Sequence, residues 1–312
     1  MSCECEFNDI YEVRNALNEA GLESASLIIG IDFTKSNEWT GRHSFDGMNL
    51  HTIANGVTNP YQHVISIVGT TLLGYDDDKK IPCFGFGDAT THDRKVFPFY
   101  HDGQPCHGIE GVLERYEQLV SHVTLSGPTS FAPLIHAAID IVRQSGNQFH
   151  VLLIIADGQV TGDIGLNGGR LSQQEKETID AIVAASNYPL SIVMVGVGDG
   201  PWHTMELFDD AIPTRKFDNF QFVNYTEICA EYRDPLERET EIATEALMEI
   251  PNQYSFIKQM RAVSYPSFKS NNAYVVQPPG PKFSPHQQLV QGGSKRRVRI
   301  SSGDGRKQRA QC

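Results

Sequence analysis

The sequence has no apolar run near the roughly 18 residues that a membrane-spanning helix needs, so no span of that kind is expected. Its opening, Met1-Ser2-Cys3-Glu4-Cys5-Glu6-Phe7, has neither the basic n-region nor the apolar h-region of a secretory signal. Ser2 stands where myristoylation requires glycine. Cysteine is sparse: Cys3, Cys5, Cys83, Cys106, Cys229 and Cys312 are scattered and read as reduced thiols rather than a disulfide frame. The sequon Asn224-Tyr225-Thr226 is then expected to go unused, and the protein to be cytoplasmic, with the nucleus or the inner face of the plasma membrane as further places, and not secreted. There is no Walker A sequence and no internal repeat.

Positive charge is also short over most of the chain. Residues 282–312 carry +7 and the remainder −19, giving the net −12. An acidic body disfavours nucleic acid as the main partner. The basic patch Lys295, Arg296, Arg297 and Arg299 fits an import signal or a weak anionic-lipid contact, beside the simpler reading of a solvated tail.

A chain of 312 residues with 40% hydrophobic residues can bury one large α/β core or two small ones. Phe7–Ala20 has apolar residues at Ile10, Val13 and Leu17, a helical spacing that Gly21 stops. Strand-like runs then follow at Ser26–Ile31, Ile81–Phe86, Phe149–Ile155, Leu190–Val197 and Phe220–Val223. Helical stretches fall between them at Pro60–Leu73, Gly108–Val120, Ala132–Gln144, Ser172–Ala185 and Trp202–Phe208. This alternation predicts a doubly wound, mostly parallel sheet covered on both faces. A helix over Leu236–Met248 is expected to end at Pro251, with another near Gln253–Ala262. Pro278-Pro279-Gly280-Pro281 breaks regular structure, and Gln287–Cys312 reads as disordered.

Directly after the first strand comes Asp32-Phe33-Thr34-Lys35-Ser36, with a carboxylate and two hydroxyls at alternate positions. Gly127-Pro128-Thr129-Ser130 offers another hydroxyl before a helix, and Ala156-Asp157-Gly158 another carboxylate after a strand. Ligands of such sheets bind beyond the carboxyl ends of strands, which places Asp32, Thr34, Ser36, Thr129 and Asp157 at one rim. Singly, each would be a cap or turn residue. Together they form an all-oxygen set suited to a hard divalent cation, Mg²⁺ or Mn²⁺.

Other chemistry fits less well. A phosphatase with Asp32 as nucleophile needs a general acid two residues on, where Thr34 stands. Gly196-Val197-Gly198-Asp199-Gly200 lacks the third glycine of the dinucleotide fingerprint. Cys83, His92, His101, Cys106 and His107 have no standard zinc spacing, and Asp76-Asp77-Asp78-Lys79-Lys80 lacks the glycine and final glutamate of an EF-hand loop. No catalytic constellation is evident, so the chain is not expected to be an enzyme.

The D-x-T-x-S pattern, the later Thr and the Asp-Gly resemble the metal-ion-dependent adhesion site of von Willebrand factor A domains. Gly30–Asn37 and Leu125–Phe131 are similar to the copine-type A domain. Gly21–Ser24, Ile81–Asp93, Gly196–Trp202 and Phe217–Glu227 look closest to the plant RING-domain ligases that carry such a domain. The resemblance covers about residues 8 to 252. It implies a Rossmann-like von Willebrand factor A domain over 25–252, after a helical segment at 1–24 and before a helix and Pro-rich linker at 253–281 and a basic tail at 282–312. It also implies a metal-dependent protein-binding module whose partner supplies an exposed Asp or Glu. The alternative is a non-RING recruiting component among ubiquitin-pathway proteins. No C2 domains are expected before the A domain. A RING needs eight Cys/His ligands, and after residue 252 the sequence offers His286 and Cys312.

Overall fold

The computed structural model describes residues 10–76, 78–162, 171–210, 212, 215–260 and 274–282. Its elements run α1 (Ile10–Glu19), β1 (Ser26–Asp32), a 3₁₀ turn (Lys35–Glu38), α2 (Pro60–Leu73), β2 (Lys80–Ile81), β3 (Cys83–Phe86) and β4 (Phe97–Pro98). After them come β5 (Cys106–His107), α3 (Gly108–Val120), α4 (Ala132–Gln144), β6 (His150–Ala156), α5 (Gln173–Ala185) and β7 (Leu190–Gly196). The last are α6 (His203–Asp210), β8 (Phe220–Asn224), α7 (Tyr225–Glu231), α8 (Pro235–Leu247) and α9 (Ile250–Met260). The tail, with Lys295, Arg296, Arg297 and Arg299, lies outside the described residues.

One six-stranded sheet has the order β4-β3-β1-β6-β7-β8, parallel except for β4, which runs antiparallel to β3. This is the doubly wound arrangement that the alternating pattern predicts. Successive side chains of a strand point to opposite faces, so each central strand feeds two cores. Leu27, Ile29, Ile31, Val151, Leu153 and Ile155 join one cluster with α2 and α3. Ile28, Leu152, Ile154, Ile192 and Met194 join the other, with α4, α5 and α6. Val13 and Leu17 of α1 and Tyr254 and Ile257 of α9 belong to the first cluster, so these two helices share the core of the sheet.

Local chemistry sets the helix starts. Asn59 and Gln62 form a reciprocal capping box on α2, with Pro60 just inside it. Ser172 and Glu175 do the same for α5. Asp234 caps α8, accepting from the amides of Leu236 and Glu237. Among the described residues, no helix is long and apolar enough to cross a membrane.

The structure corrects several boundaries. The run Ile81–Phe86 is divided at Pro82, which has no N–H for a ladder; its carbonyl still accepts from the Ile29 amide at 3.0 Å. β2 instead pairs antiparallel with β5. α8, Pro235–Leu247, meets the expected Leu236–Met248 span within a residue, but Pro251 is not its stop: Pro251 sits in the first turn of α9, where a missing N–H costs nothing. Helix α7, absent from the expected list, starts directly after β8 on an Asn224 cap whose side chain accepts from the Glu227 amide.

Gly30 in the middle of β1 is required by packing. A β-carbon there would overlap the δ-methyl of Leu134 on α4. Gly30→Ala should therefore destabilise the fold by about 1–3 kcal/mol in urea unfolding. Adding Leu134→Ala should cost less than the sum of the single changes; simple additivity would show that the two positions do not compete for space.

The half-buried Glu245 of α8 has its carboxyl raised from 4.5 to about 7, first by burial and then by Glu241, Glu227 and Glu231. A raised folded-state value stabilises below the unfolded one, and this contribution fades as pH rises from 4.5 through about 7. Glu245→Gln should flatten that part of the melting temperature–pH curve. An unchanged slope would assign it to other groups.

Candidate functional site

Strands β1, β3, β6 and β7 end together at one rim, and the oxygen-bearing residues stand on the turns that leave it. Asp32 is the last residue of β1 and fully buried. Its Oδ1 accepts from the Thr34 amide at 2.8 Å, which folds the chain sharply. Asp157 follows β6 and is equally buried. Its Oδ1 accepts from Ser36 Oγ at 3.0 Å and Thr34 Oγ1 at 3.2 Å, and its Oδ2 from Thr40 Oγ1 at 2.6 Å. The structure thus gathers Asp32, Thr34, Ser36 and Asp157 into one cluster.

Thr129 is placed less directly. Its loop runs beside the Asp32–Ser36 loop through a Thr34–Ser126 bridge. Its backbone is tied to Thr161 both ways: Thr161 Oγ1 accepts from the Thr129 amide at 2.9 Å, and Thr129 O accepts from the Thr161 amide at 3.1 Å. Among the described residues its hydroxyl makes no hydrogen bond to the Asp157 group.

Asp32 Oδ2 is buried with no hydrogen-bond partner. Burial first, and the charge of Asp157 second, push the Asp32 carboxyl well above the usual carboxylate range, against the pull of Thr34. Burial also raises Asp157, countered by Thr40, Ser36, Thr34 and Asp32. Neither residue forms an ion pair among the described residues. Two buried neighbouring carboxylates demand a shared proton or a cation. The donor set around them, two carboxylates and two hydroxyls, has the hard-oxygen character that Mg²⁺ or Mn²⁺ takes.

Residues that the sequence alone did not single out hold this rim in shape. His51 Nε2 contacts Asp32 O at 2.8 Å, and its Nδ1 contacts Tyr116 OH at 2.8 Å. A carbonyl can only accept, so Nε2 carries the proton and Nδ1 accepts from the tyrosine. Burial pushes His51 down to about 3, so the ring stays neutral between Tyr61 and Phe33, with centroids 4.2 and 4.8 Å away. Asn37 Nδ2 donates to Thr34 O at 3.0 Å, and its Oδ1 accepts from Tyr61 OH at 2.7 Å. Only the place of Asn37 one residue after Ser36 could have flagged it.

Two glycines let the loops approach. Gly87 has φ +80°, and a β-carbon there would meet the Thr34 methyl and lie 3.1 Å from Asp32 Oδ1. At Gly198 a β-carbon would overlap the Asp157 carbonyl oxygen. Within the Gly196–Gly200 run, Gly198 therefore serves close packing against Asp157, while Gly196 and Gly200 lie against Trp202. Asp199 secures the outer loop: its amide donates to Thr40 O at 2.7 Å, and its carboxylate accepts from the His43 and Ser44 amides at 2.9 Å each.

Asp209, Asp218 and Glu249 bring one carboxylate oxygen each within 4.8 Å at a different place. Arg215 already pairs with Asp218 at 2.6 Å, and the Phe222 amide donates to Asp209 at 3.0 Å. That group carries no comparable argument for an ion.

A doubly wound sheet with such an oxygen-rich rim is a von Willebrand factor A-type architecture. The Copine family model matches residues 49–265, and the chain belongs to the copine family. Thr129 and Asp157 lie inside the matched stretch, and the Asp32–Ser36 loop precedes it. E3 ubiquitin-protein ligase RGLG4 of Arabidopsis thaliana is 57% identical over 255 residues, 82% of this chain and 63% of its own length. RGLG1, also an E3 ubiquitin-protein ligase of that plant, is 58% identical over 248 residues, covering 80% and 50%. Copine family protein 1 of Caenorhabditis elegans is 45% identical over 245 residues, 78% of this chain and 21% of its own. The chain thus spans between half and two thirds of the length of these two ligases. Among solved structures, a von Willebrand factor type A from Catenulispora acidiphila aligns with a TM-score of 0.42 at 13% identity, over 72% of this chain and 43% of that one.

Gly198→Ala tests the packing at the rim. The added methyl must displace backbone rather than a flexible side chain, so a loss of about 1–3 kcal/mol in urea unfolding is expected. Wild-type stability with unchanged Asp157 carboxyl shifts would show that the two loops do not press together there.

Proposed function

We propose that this copine domain binds one Mg²⁺ or Mn²⁺ at Asp32, Thr34, Ser36, Thr129 and Asp157 and uses the site to capture an exposed Asp or Glu of a partner protein. The observation that carries this reading is Asp32 Oδ2, a buried carboxylate oxygen left without a partner beside a second buried carboxylate. A bound divalent cation supplies the charge that lets both carboxylates ionise, and a coordination position for an anionic oxygen from outside. Ser36 and Thr34 present hydroxyls from the first loop, and Asp157 faces them from the end of β6. Thr40, Asn37 and His51 position these groups rather than contact the partner. The chain's own role is binding rather than catalysis.

Asp32→Ala should abolish Mg²⁺ binding in calorimetry while circular dichroism stays native, because Asp32 ends its strand at the rim. Undiminished binding would move the site elsewhere.

A second reading follows from the names of the plant relatives, which are E3 ubiquitin-protein ligases. In that reading the domain recruits a substrate or a companion ligase. The chain with E1, E2 and ubiquitin should form no ubiquitin chains, and adding a RING-bearing relative should restore activity in a way that Asp157→Asn weakens. Robust chain formation by the protein alone would overturn the binding-module reading.

A further inference from the structure

Beyond α9, residues 274–282 return to the sheet as a strap along its β4 edge. The Val96 amide donates to Tyr274 O at 2.6 Å, and the Val276 amide donates to Val96 O at 2.8 Å, so Val96 and Val275 form a parallel bridge. The Tyr274 ring stacks on His136 of α4, with centroids 5.0 Å apart and planes 17° apart. Val276 packs against the first core cluster, and Pro278 is buried. At Gly280, φ +86°, a β-carbon would come within 2.8 Å of the His122 ring. Covering a sheet edge is ordinary; the two places that this strap grips are not.

Val96 and His136 stand on either side of the Thr129 loop. Val96 closes the loop that leaves β3, and that loop is bonded to the Thr129 loop at several points. Asp88 and Leu125 form an antiparallel bridge, and the Ala89 amide donates to Thr124 O at 2.9 Å. His92 Nδ1 lies 3.0 Å from Gly127 O, and because a carbonyl only accepts, Nδ1 carries the proton. On the other side, α4 begins at Ala132, directly after this loop, and His136 lies in its second turn. Thr129 is also the member of the oxygen set whose hydroxyl does not bond to the Asp157 group among the described residues, so its place depends on what holds its loop.

The grip is shallow. Val275 is 38% exposed, and a groove of about 640 Å³ opens beside the Tyr274–His136 stack, lined also by Asp93, Gln174 and Glu177. Segments with few buried contacts open at lower free energy than core strands. A second tie, Gln174 Nε2 donating to Asp93 Oδ2 at 2.9 Å, keeps the β3 loop on α5. Losing the strap therefore loosens that loop without freeing it.

We propose that residues 274–280 are a latch on the Thr129 loop: seated, they hold it through Val96 and His92 on one side and α4 on the other, and released, they loosen it and weaken the rim's hold on a divalent cation. The latch rests on the contacts above. Its effect on cation binding rests on the metal-site reading of the preceding subsection.

The test uses the full chain, metal-free, with hydrogen exchange read by mass spectrometry. Val276→Pro removes the N–H that donates to Val96 O and keeps the residue before it extended. Exchange over 88–96 and 124–131 should quicken by about two- to tenfold, while β6 and β7 keep their wild-type rates. Tyr274→Ala should act on the same segments, and it carries the test if circular dichroism shows Val276→Pro unfolded. His92→Ala cuts the link, so adding Val276→Pro to it should quicken 124–131 by less than Val276→Pro does alone. Quickening confined to 274–282 would reduce the strap to an edge cover, and quickening spread evenly over β6 and β7 would make it part of the core; either overturns the latch. Calorimetry with Mg²⁺ alone should show about two- to tenfold weaker binding by Val276→Pro, and equal binding by wild type and variant would overturn the effect on the cation. A wild-type chain that binds no Mg²⁺ removes the metal-site reading, while the exchange rates still decide the latch.

Discussion

Two carboxylates, Asp32 and Asp157, are buried side by side at the end of the sheet with too few donors to satisfy them. Asp157 receives three hydroxyl hydrogen bonds, while Asp32 has one oxygen bonded by an amide and the other unpartnered. A pair of this kind costs stability unless a cation or proton relieves it. Three hydroxyls hold the Asp157 carboxylate, a neutral histidine holds the backbone carbonyl of Asp32, and Gly87 and Gly198 let the neighbouring loops approach both residues closely.

The doubly wound topology is what brings these groups together. β1 lies between β3 and β6, so the turns after all three leave the same edge of the sheet. Gly87, after β3, presses on Thr34 and Asp32, and Gly198, after β7, presses on Asp157. Each loop is braced by its neighbours, while the two cores beneath are made of Ile, Leu and Val that say nothing about chemistry. The rim carries the proposed binding function and the cores carry the stability.

Much of this was legible because it is local. The alternation of Asp32, Thr34 and Ser36 survives in space since a turn of that length keeps alternate side chains on one side. Asp157 was readable from its place just after an apolar run. The hidden part consists of long-range contacts. His51 meets Asp32 and Tyr116 across 19 and 65 residues, and Thr40 reaches Asp157 across 117. No spacing rule announces such pairs. Boundaries missed for backbone reasons: Pro82 divides an apolar run that composition alone joins, and α7 follows β8 without a turn. The family resemblance was legible as well, and the match over residues 49–265 bears it out.

The central claim is that the space between Asp32 and Asp157 is built for a divalent cation. Crystals grown in Mn²⁺ and measured for anomalous scattering test it most directly, because the ion's position is read without reference to binding energetics. The account predicts one strong anomalous peak in contact with the oxygens of Ser36 and Asp157 and near Asp32. A map with no peak there, or with its only peak among Asp209, Asp218 and Glu249, would contradict it.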